Sequence, residues 1–192
     1  MSASTKERIL NAAEEIMLAK SFHSVGLNEI LAAVKVPKGS FYHYFESKEQ
    51  FGVELVRHYV REHSARLRRI LGASELNPFE RLLALFQGLI SRVMEGECKQ
   101  ACLVAKLGAE VSTFSEPMRE ALREGIRDWR KVYEETIVEG QSSGVIRQDL
   151  DPAVTAGLIF DLWRGAMDRA QLDRTVAPLK DAAAFIQGYL RP

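Results

Sequence analysis

Along most of this chain the apolar side chains return at every third or fourth position, segment after segment, and valine-rich alternating stretches joined by hairpin turns are missing. Apolar residues at that spacing line one face of a helix but would fall on both faces of a strand, so the pattern predicts an all-α fold. Ile9, Leu10, Ala13, Ile16 and Met17 make the first stripe, over about Thr5 to Lys20. Leu27, Ile30, Leu31 and Val34 make a second of only two turns, and a third short helix is expected from Lys38 to Phe45. Between them Lys35 to Pro37 forms a tight connection, because the residue before a proline is pushed out of the helical region while proline suits a first helical turn.

Punctuation divides the remainder. Ser47 with Gln50 has the form of a capping box and opens a long fourth helix, about Lys48 to Leu71. Asn77 and Pro78 open a fifth, closed by Gly96, and further helices are expected over Ala101 to Val111 and Ser115 to about Gly140. Gly140 to Gly144 reads as a loop, after which Pro152 and Pro178 open the last two helices, ending near Leu172 and Leu190. That is about nine helices, organised as a helix-turn-helix unit (1–47), a linking helix (48–72) and a larger helical bundle (73–192) for sensing and dimerisation.

Composition narrows the function. Lys+Arg and Asp+Glu are equal at 26 each, so the chain is no uniformly basic nucleic-acid binder, yet Lys35 to Arg69 holds eight Lys/Arg against four Asp/Glu. At 46% hydrophobic residues it can bury a sizeable core, which excludes intrinsic disorder. Two cysteines make no disulfide scaffold, glutamates occupy the start where a signal peptide needs an apolar run, and no stretch is apolar enough to span a bilayer. The protein is expected in the cytoplasm and off the membrane. The four histidines (His23, His43, His58, His63) lie far in sequence from either cysteine, no CxxC or glycine-rich phosphate loop occurs, and neither enzyme, cofactor nor metal is expected.

Two short helices joined by a tight turn are the frame of a helix-turn-helix, whose later helix enters the major groove. A helical wheel over Lys38 to Phe45 puts Phe41, Tyr44 and Phe45 on one face and turns Gly39, Tyr42 and His43 away, with Lys38 and Ser40 on the flanks. A glycine there lets backbone approach backbone, Lys38 can donate to guanine, and Ser40 and Tyr42 can donate to phosphate or base edges. The free amides that begin the fourth helix, beside Lys48, suit a phosphate. The pattern also fits a solvated helix face beside an aromatic core.

The runs Ile9-Leu10-Asn11-Ala12-Ala13 and Val36-Pro37-Lys38-Gly39-Ser40-Phe41-Tyr42-His43-Tyr44-Phe45, followed by Ser47-Lys48-Glu49, resemble the DNA-binding domain of TetR-type repressors. The resemblance implies that Lys38, Gly39, Ser40 and Tyr42 read bases, that Tyr42, His43 and Lys48 hold phosphates, and that Asn28 is a further candidate contact. It also implies a homodimer on a near-palindromic double-stranded operator, paired through the last two helices, with a small-molecule inducer sensed in the larger domain. Small residues interleaved with Phe160 and Trp163 after Pro152 agree with close helix packing.

For the sensor, Cys102 has Lys106 one helical turn away and Cys98 one turn before it. A neighbouring lysine favours the thiolate, the form that attacks electrophiles, although a cysteine in an apolar helix also fits a small buried hydrophobe. Beyond the helix-turn-helix, Cys102-Leu103, Lys106-Leu107, Ala109-Glu110-Val111, Leu162-Trp163 and Gly165-Ala166 resemble an electrophile-sensing member of that family, which implies Cys102 as sensor. The lysine that partners the sensor cysteine there falls on Gln171 here, which cannot supply an amine to a cysteine-lysine link. Cys98 is then the candidate resolving thiol. A competing expectation is a reversible apolar ligand in a pocket drawn from Phe86, Leu103, Phe114, Trp129, Phe160, Trp163 and Met167, all of which also fit plain core. A helical module that binds partner proteins and no DNA is the remaining alternative.

Overall fold

The computed structural model describes residues 4–96, 98, 102–111 and 113–192. Among them are nine helices and no strand: α1 (Thr5–Ala19), α2 (Leu27–Ala33), α3 (Lys38–Tyr44), α4 (Lys48–Leu71), α5 (Pro78–Glu95), α6 (Leu103–Val111), α7 (Glu116–Ser142), α8 (Pro152–Asp173) and α9 (Ala177–Leu190). The all-α expectation is met.

Capping residues set several boundaries. Asn77 accepts from the Glu80 amide while Glu80 reaches back to the Asn77 N–H, and Asp151 accepts from the Val154 amide. Ser4 and Glu7 form the same reciprocal pair at the start of α1. At Ser47 only half of the expected box forms: the hydroxyl accepts from the Gln50 amide, but the Gln50 Oε1 is buried with no partner.

One expected boundary is corrected. α7 runs through Gly140 to Ser142, because the space a Cβ would take at Gly140 is filled by the buried Ile146, whose Cδ1 would stand 2.5 Å from it. The glycine serves close packing and does not end the helix. Gly140→Ala gains about 1 kcal/mol of helix propensity but overpacks a full site at about 1–3 kcal/mol, so a net loss of about 1 kcal/mol is expected in denaturant titration. Ile146→Ala should then cost less in the Gly140→Ala background than alone.

The helices divide into two compact units that do not follow chain order. The described residues up to Glu62 pack with Cys102–Gly125, and those from His63 to Cys98 pack with Ile126–Pro192. The segments read from the sequence, cut after residues 47 and 72, therefore differ from the packing: α6 and the first part of α7 belong with the helix-turn-helix. In the second unit Leu82, Phe86, Ile137, Ile159, Trp163 and Ile186 build the core. Arg81, buried there, donates to the Leu71 carbonyl at the end of α4 (2.6 Å) and pairs with Glu139 (2.5 Å).

In the first unit, buried His58 ties α4 to α1. Its Nδ1 accepts from Arg61 (3.0 Å), so Nε2 carries the hydrogen and donates to Asn11 Oδ1 (2.6 Å). Burial, then the Arg61 charge, hold its pKa below the ordinary 6.5, against the opposing pull of Glu62 and Glu7. The unfolded chain thus binds the proton more readily, and the stability His58 confers is complete above pH 6.5 and lost as pH falls toward the folded value. Thermal melts from neutral to mildly acidic pH should show a steeper fall for the wild type than for His58→Gln. The excess is bounded by about 1.4 kcal/mol per pH unit, the limit for one proton.

Candidate nucleic-acid interface

The turn between α2 and α3 is built from the chain's own caps. Lys35 takes a left-handed conformation (φ 56°), its amide donating to the Ala32 carbonyl and that of Val36 to the Leu31 carbonyl. This closes α2 in the manner usually assigned to glycine. Arg8 reaches from α1 to the Val34 carbonyl (2.7 Å), and Pro37, with φ of −61°, launches α3.

A seven-residue helix is too short to persist alone, and aromatic packing anchors this one. Phe41 (0% exposed) and Phe45 (1%) lie with ring centroids 5.0 Å apart and meet Phe51 of α4 at 5.4 and 5.1 Å. Opposite them Tyr42 is 57% exposed, and Lys38, Gly39 and His43 are exposed as well, with Ser40 half-buried. Tyr44, expected on the inner face, is only half-buried. The Tyr42 ring rests edge-on against Phe41 (5.4 Å) and His43 edge-on against Tyr44 (5.1 Å). Asn28 is exposed in the first turn of α2.

Lys48 is placed differently from a free phosphate ligand. Its ammonium donates to the carbonyls of Val25 (2.9 Å) and His23 (3.4 Å) and lies 5.1 Å from the centroid of the Phe22 ring. In this state it closes the loop between α1 and α2.

Cys102 is half-exposed immediately before α6, its carbonyl accepting from the Lys106 amide. Tyr59, buried on α4, donates its hydroxyl to Cys102 Sγ (3.9 Å) and accepts from the Leu103 amide (3.4 Å). Burial, then the neighbouring Cys102, push the phenol pKa above its ordinary value, so it remains a neutral donor. The expected lysine partner points elsewhere: Lys106 Nζ donates to the Leu18 carbonyl in the last turn of α1 (2.9 Å). Cys98 is not on the same helix as Cys102; it is buried in a left-handed turn (φ 56°) and belongs to the second compact unit. Gln171, on α8, belongs to that second unit too.

The expected pocket residues also separate. Phe86 and Trp163 pack at 4.6 Å and Trp129 meets Phe160 at 6.3 Å, with Met167 against the same core, so these rings fill the second unit. Leu103 is fully buried in the first unit, and Phe114, half-exposed there, lies against His23 (4.3 Å). A surface cleft of about 310 Å³ is lined by Phe22, His23, Lys48, Glu49, Phe114, Ser115 and Met118. Among the described residues no cluster of His, Cys, Asp or Glu could hold a metal ion, and no helix is long and apolar enough to cross a membrane.

Two residues of this region carried no local signal in the sequence, Tyr59 and Glu110. Glu110 lies two turns along α6 from Cys102, and its carboxylate accepts from Ser21, Phe22 and His23.

Known proteins match this arrangement along almost the whole chain. The family described as "Bacterial regulatory proteins, tetR family" covers residues 9–55, and "Tetracyclin repressor-like, C-terminal domain" covers residues 78–186. The HTH-type transcriptional repressor NemR of Escherichia coli (strain K12) is 35% identical over 187 residues, 97% of this chain and 94% of its own. The HTH-type transcriptional repressor DhaR of Mycobacterium sp. (strain GP1) is 30% identical over 187 residues, 97% of this chain and 92% of its own. The crystal structure of reduced E. coli NemR superposes with a TM-score of 0.90 at 34% identity, covering 97% of each chain. With an exposed polar face on α3 above buried aromatics, and these likenesses over both halves, the chain belongs to the TetR family of bacterial transcriptional regulators and carries their helix-turn-helix DNA-binding domain.

Proposed function

We propose that the protein is a repressor that binds a near-palindromic operator as a homodimer and releases it when Cys102 reacts with a small electrophile. The observation that carries the DNA reading is the exposure of Tyr42 and His43 directly over the fully buried Phe41 and Phe45. A recognition helix needs that division: its contacts stay free while its seat is rigid. Lys38 and Ser40 then meet base edges, Gly39 lets the backbone approach, and Tyr42, His43 and Lys48 hold phosphates, with Asn28 at the margin. Pairing of two copies is supported by Val154, Leu158 and Leu162, which recur every fourth position on α8 and are exposed, and by exposed Phe185 on α9. Two-fold symmetry then requires inverted half-sites. Such a protein works beside the chromosome, in the bacterial cytoplasm.

The sensor reading rests on the half-exposed Cys102 thiol held by the Tyr59 hydroxyl. Its sulfur adds to the β-carbon of a quinone or maleimide; a sulfur lone pair forms the C–S bond, the π pair of the carbon-carbon double bond shifts toward the carbonyl, and the proton the thiol gives up ends on the resulting enolate. Nothing is oxidised and no group leaves. A reversible ligand in the cleft beside His23 and Phe114 is the second reading, supported by the aromatic and apolar side chains of Phe22, Phe114 and Met118 gathered there.

Gel shifts on DNA upstream of the protein's own gene test the first claim. Binding should fall steeply with salt, the logarithm of affinity dropping by about 0.9 per log unit of salt for every phosphate neutralised. Absence of any shift on that DNA and on a random pool would leave the interaction module as the reading.

A further inference from the structure

α6 holds more than the thiol at its entry. Cys102, at the entry to α6, is followed at intervals of four by Lys106 and Glu110, which share one face of the helix. Lys106 grips the last turn of α1 through the Leu18 carbonyl (2.9 Å). Glu110 holds what comes next: one carboxylate oxygen accepts from Ser21 Oγ (2.5 Å) and the His23 amide (2.9 Å), the other from the Phe22 amide (2.9 Å). Desolvation works against the ionised form, but the Ser21 hydroxyl and then the His23 and Phe22 amides outweigh it, and the carboxyl stays below its usual range.

The same loop is held from its other side. Where Glu110 takes its N–H groups, Lys48 at the start of α4 takes its carbonyls, at His23 and Val25. The loop leads directly into α2, which begins at Leu27. It is thus a strap with an anion of α6 on its donors and the α4 ammonium on its acceptors. If Glu110 withdraws, the Phe22 amide and the Ser21 hydroxyl lose their acceptor, the His23 amide keeps only Ser21 Oγ (3.2 Å), and the carbonyls that seat Lys48 lose the support of that side.

We propose that Glu110 is a positioning residue for operator binding: by fixing the loop at residues 21–23 it holds Lys48 and the entry to α2 where DNA can meet them, and it is the point at which a change in α6 reaches the helix-turn-helix. The positioning half rests on DNA binding alone. The transmission half rests in addition on Cys102 as sensor.

The experiment uses full-length protein and an operator fragment, with N-ethylmaleimide as the electrophile. Glu110→Ala removes the carboxylate that accepts from Ser21, Phe22 and His23, leaving the His23 amide only the Ser21 hydroxyl (3.2 Å), and should weaken operator binding about tenfold or more. Glu110→Gln, which keeps an amide oxygen, should recover part of that loss. Hydrogen exchange should show Phe22 and His23 losing protection while peptides of α5 and α9 keep theirs, a local signature that a general loss of stability would not give. Should Glu110→Ala lose protection throughout, Ser21→Ala, which deletes one donor to Glu110 and the second acceptor of the His23 amide, is the variant to read, and it should show faster exchange at His23 with a several-fold loss of affinity.

In the wild type, N-ethylmaleimide should lower affinity; in Glu110→Ala it should lower it little further, since the strap is already loose. Wild-type operator affinity in Glu110→Ala with residues 22 and 23 exchanging freely overturns the proposal. Failure of the reagent to release wild-type protein would sink the Cys102 reading and with it the transmission half, while the affinity and exchange results still decide whether Glu110 positions the loop.

Discussion

Tyr42→Ala is expected to weaken binding to every DNA sequence by about ten- to a hundredfold per half-site, with an unchanged melting temperature. A hydroxyl donating to a phosphate is a charge-assisted hydrogen bond worth about 1.5–3 kcal/mol, and a two-fold operator would lose it twice. Stability is spared because the ring is 57% exposed and rests on Phe41 only by an edge. Tyr42→Phe separates ring from hydroxyl: it keeps the edge contact and should lose most of the affinity if the hydroxyl does the holding. The salt slope should stay as in the wild type, since no charge is removed. Lys48→Ala, by contrast, should flatten it. Phe45→Ala is the opposite control, because truncating a fully buried ring costs about 3–5 kcal/mol of folding stability and melts the seat of α3. Measured by gel shift and thermal melt together, wild-type affinity in Tyr42→Ala would remove Tyr42 from the interface.

The recognition helix was legible because its information is local. Eight residues decide which face is aromatic and which is polar, and the wheel over Lys38 to Phe45 separates buried Phe41 and Phe45 from exposed Tyr42 and His43 without knowledge of anything distant. The same holds at Asn77 and Asp151, where donor and acceptor lie three residues apart. Gly140 misled for the converse reason: locally it is a helix breaker, and only Ile146, folding back onto it, explains why the helix continues. The make-up of the two compact units escapes local reading in the same way. Glu110 meets partners almost ninety residues earlier, and Lys106 does too, so no window of sequence could tell that α6, with the first part of α7, packs with α1. Lys106 was paired with Cys102 on spacing alone, but its stem extends to Leu18. Spacing fixes which residues share a face and says nothing of what that face meets.

Treatment with N-ethylmaleimide is expected to lower operator affinity of the wild type by about 5- to 150-fold, the usual span of coupling between two sites, and to leave Cys102→Ser unaffected. Cys102 is partly exposed while Cys98 and the neighbouring Leu103 are buried, so of the two cysteines it is the one open to a small reagent. An adduct on Sγ adds bulk where the Tyr59 hydroxyl donates to the sulfur (3.9 Å), and that hydroxyl is also the acceptor for the Leu103 amide at the first turn of α6. Tyr59 cannot follow into solvent without leaving the core, so the start of α6 has to yield instead. Its Lys106 and Glu110, further along the same face, are the contacts to α1 and to the loop before α2, and a shift of the helix strains both. Cys98, buried in its turn, should react slowly, and Cys98→Ser should respond as the wild type does. Mass spectrometry of the released protein should show one adduct per chain, at Cys102, and reducing agents should not restore binding because a thioether is not a disulfide. Release of the Cys102→Ser protein by the same reagent would place the switch elsewhere, with the cleft beside His23 and Phe114 as the next site to block.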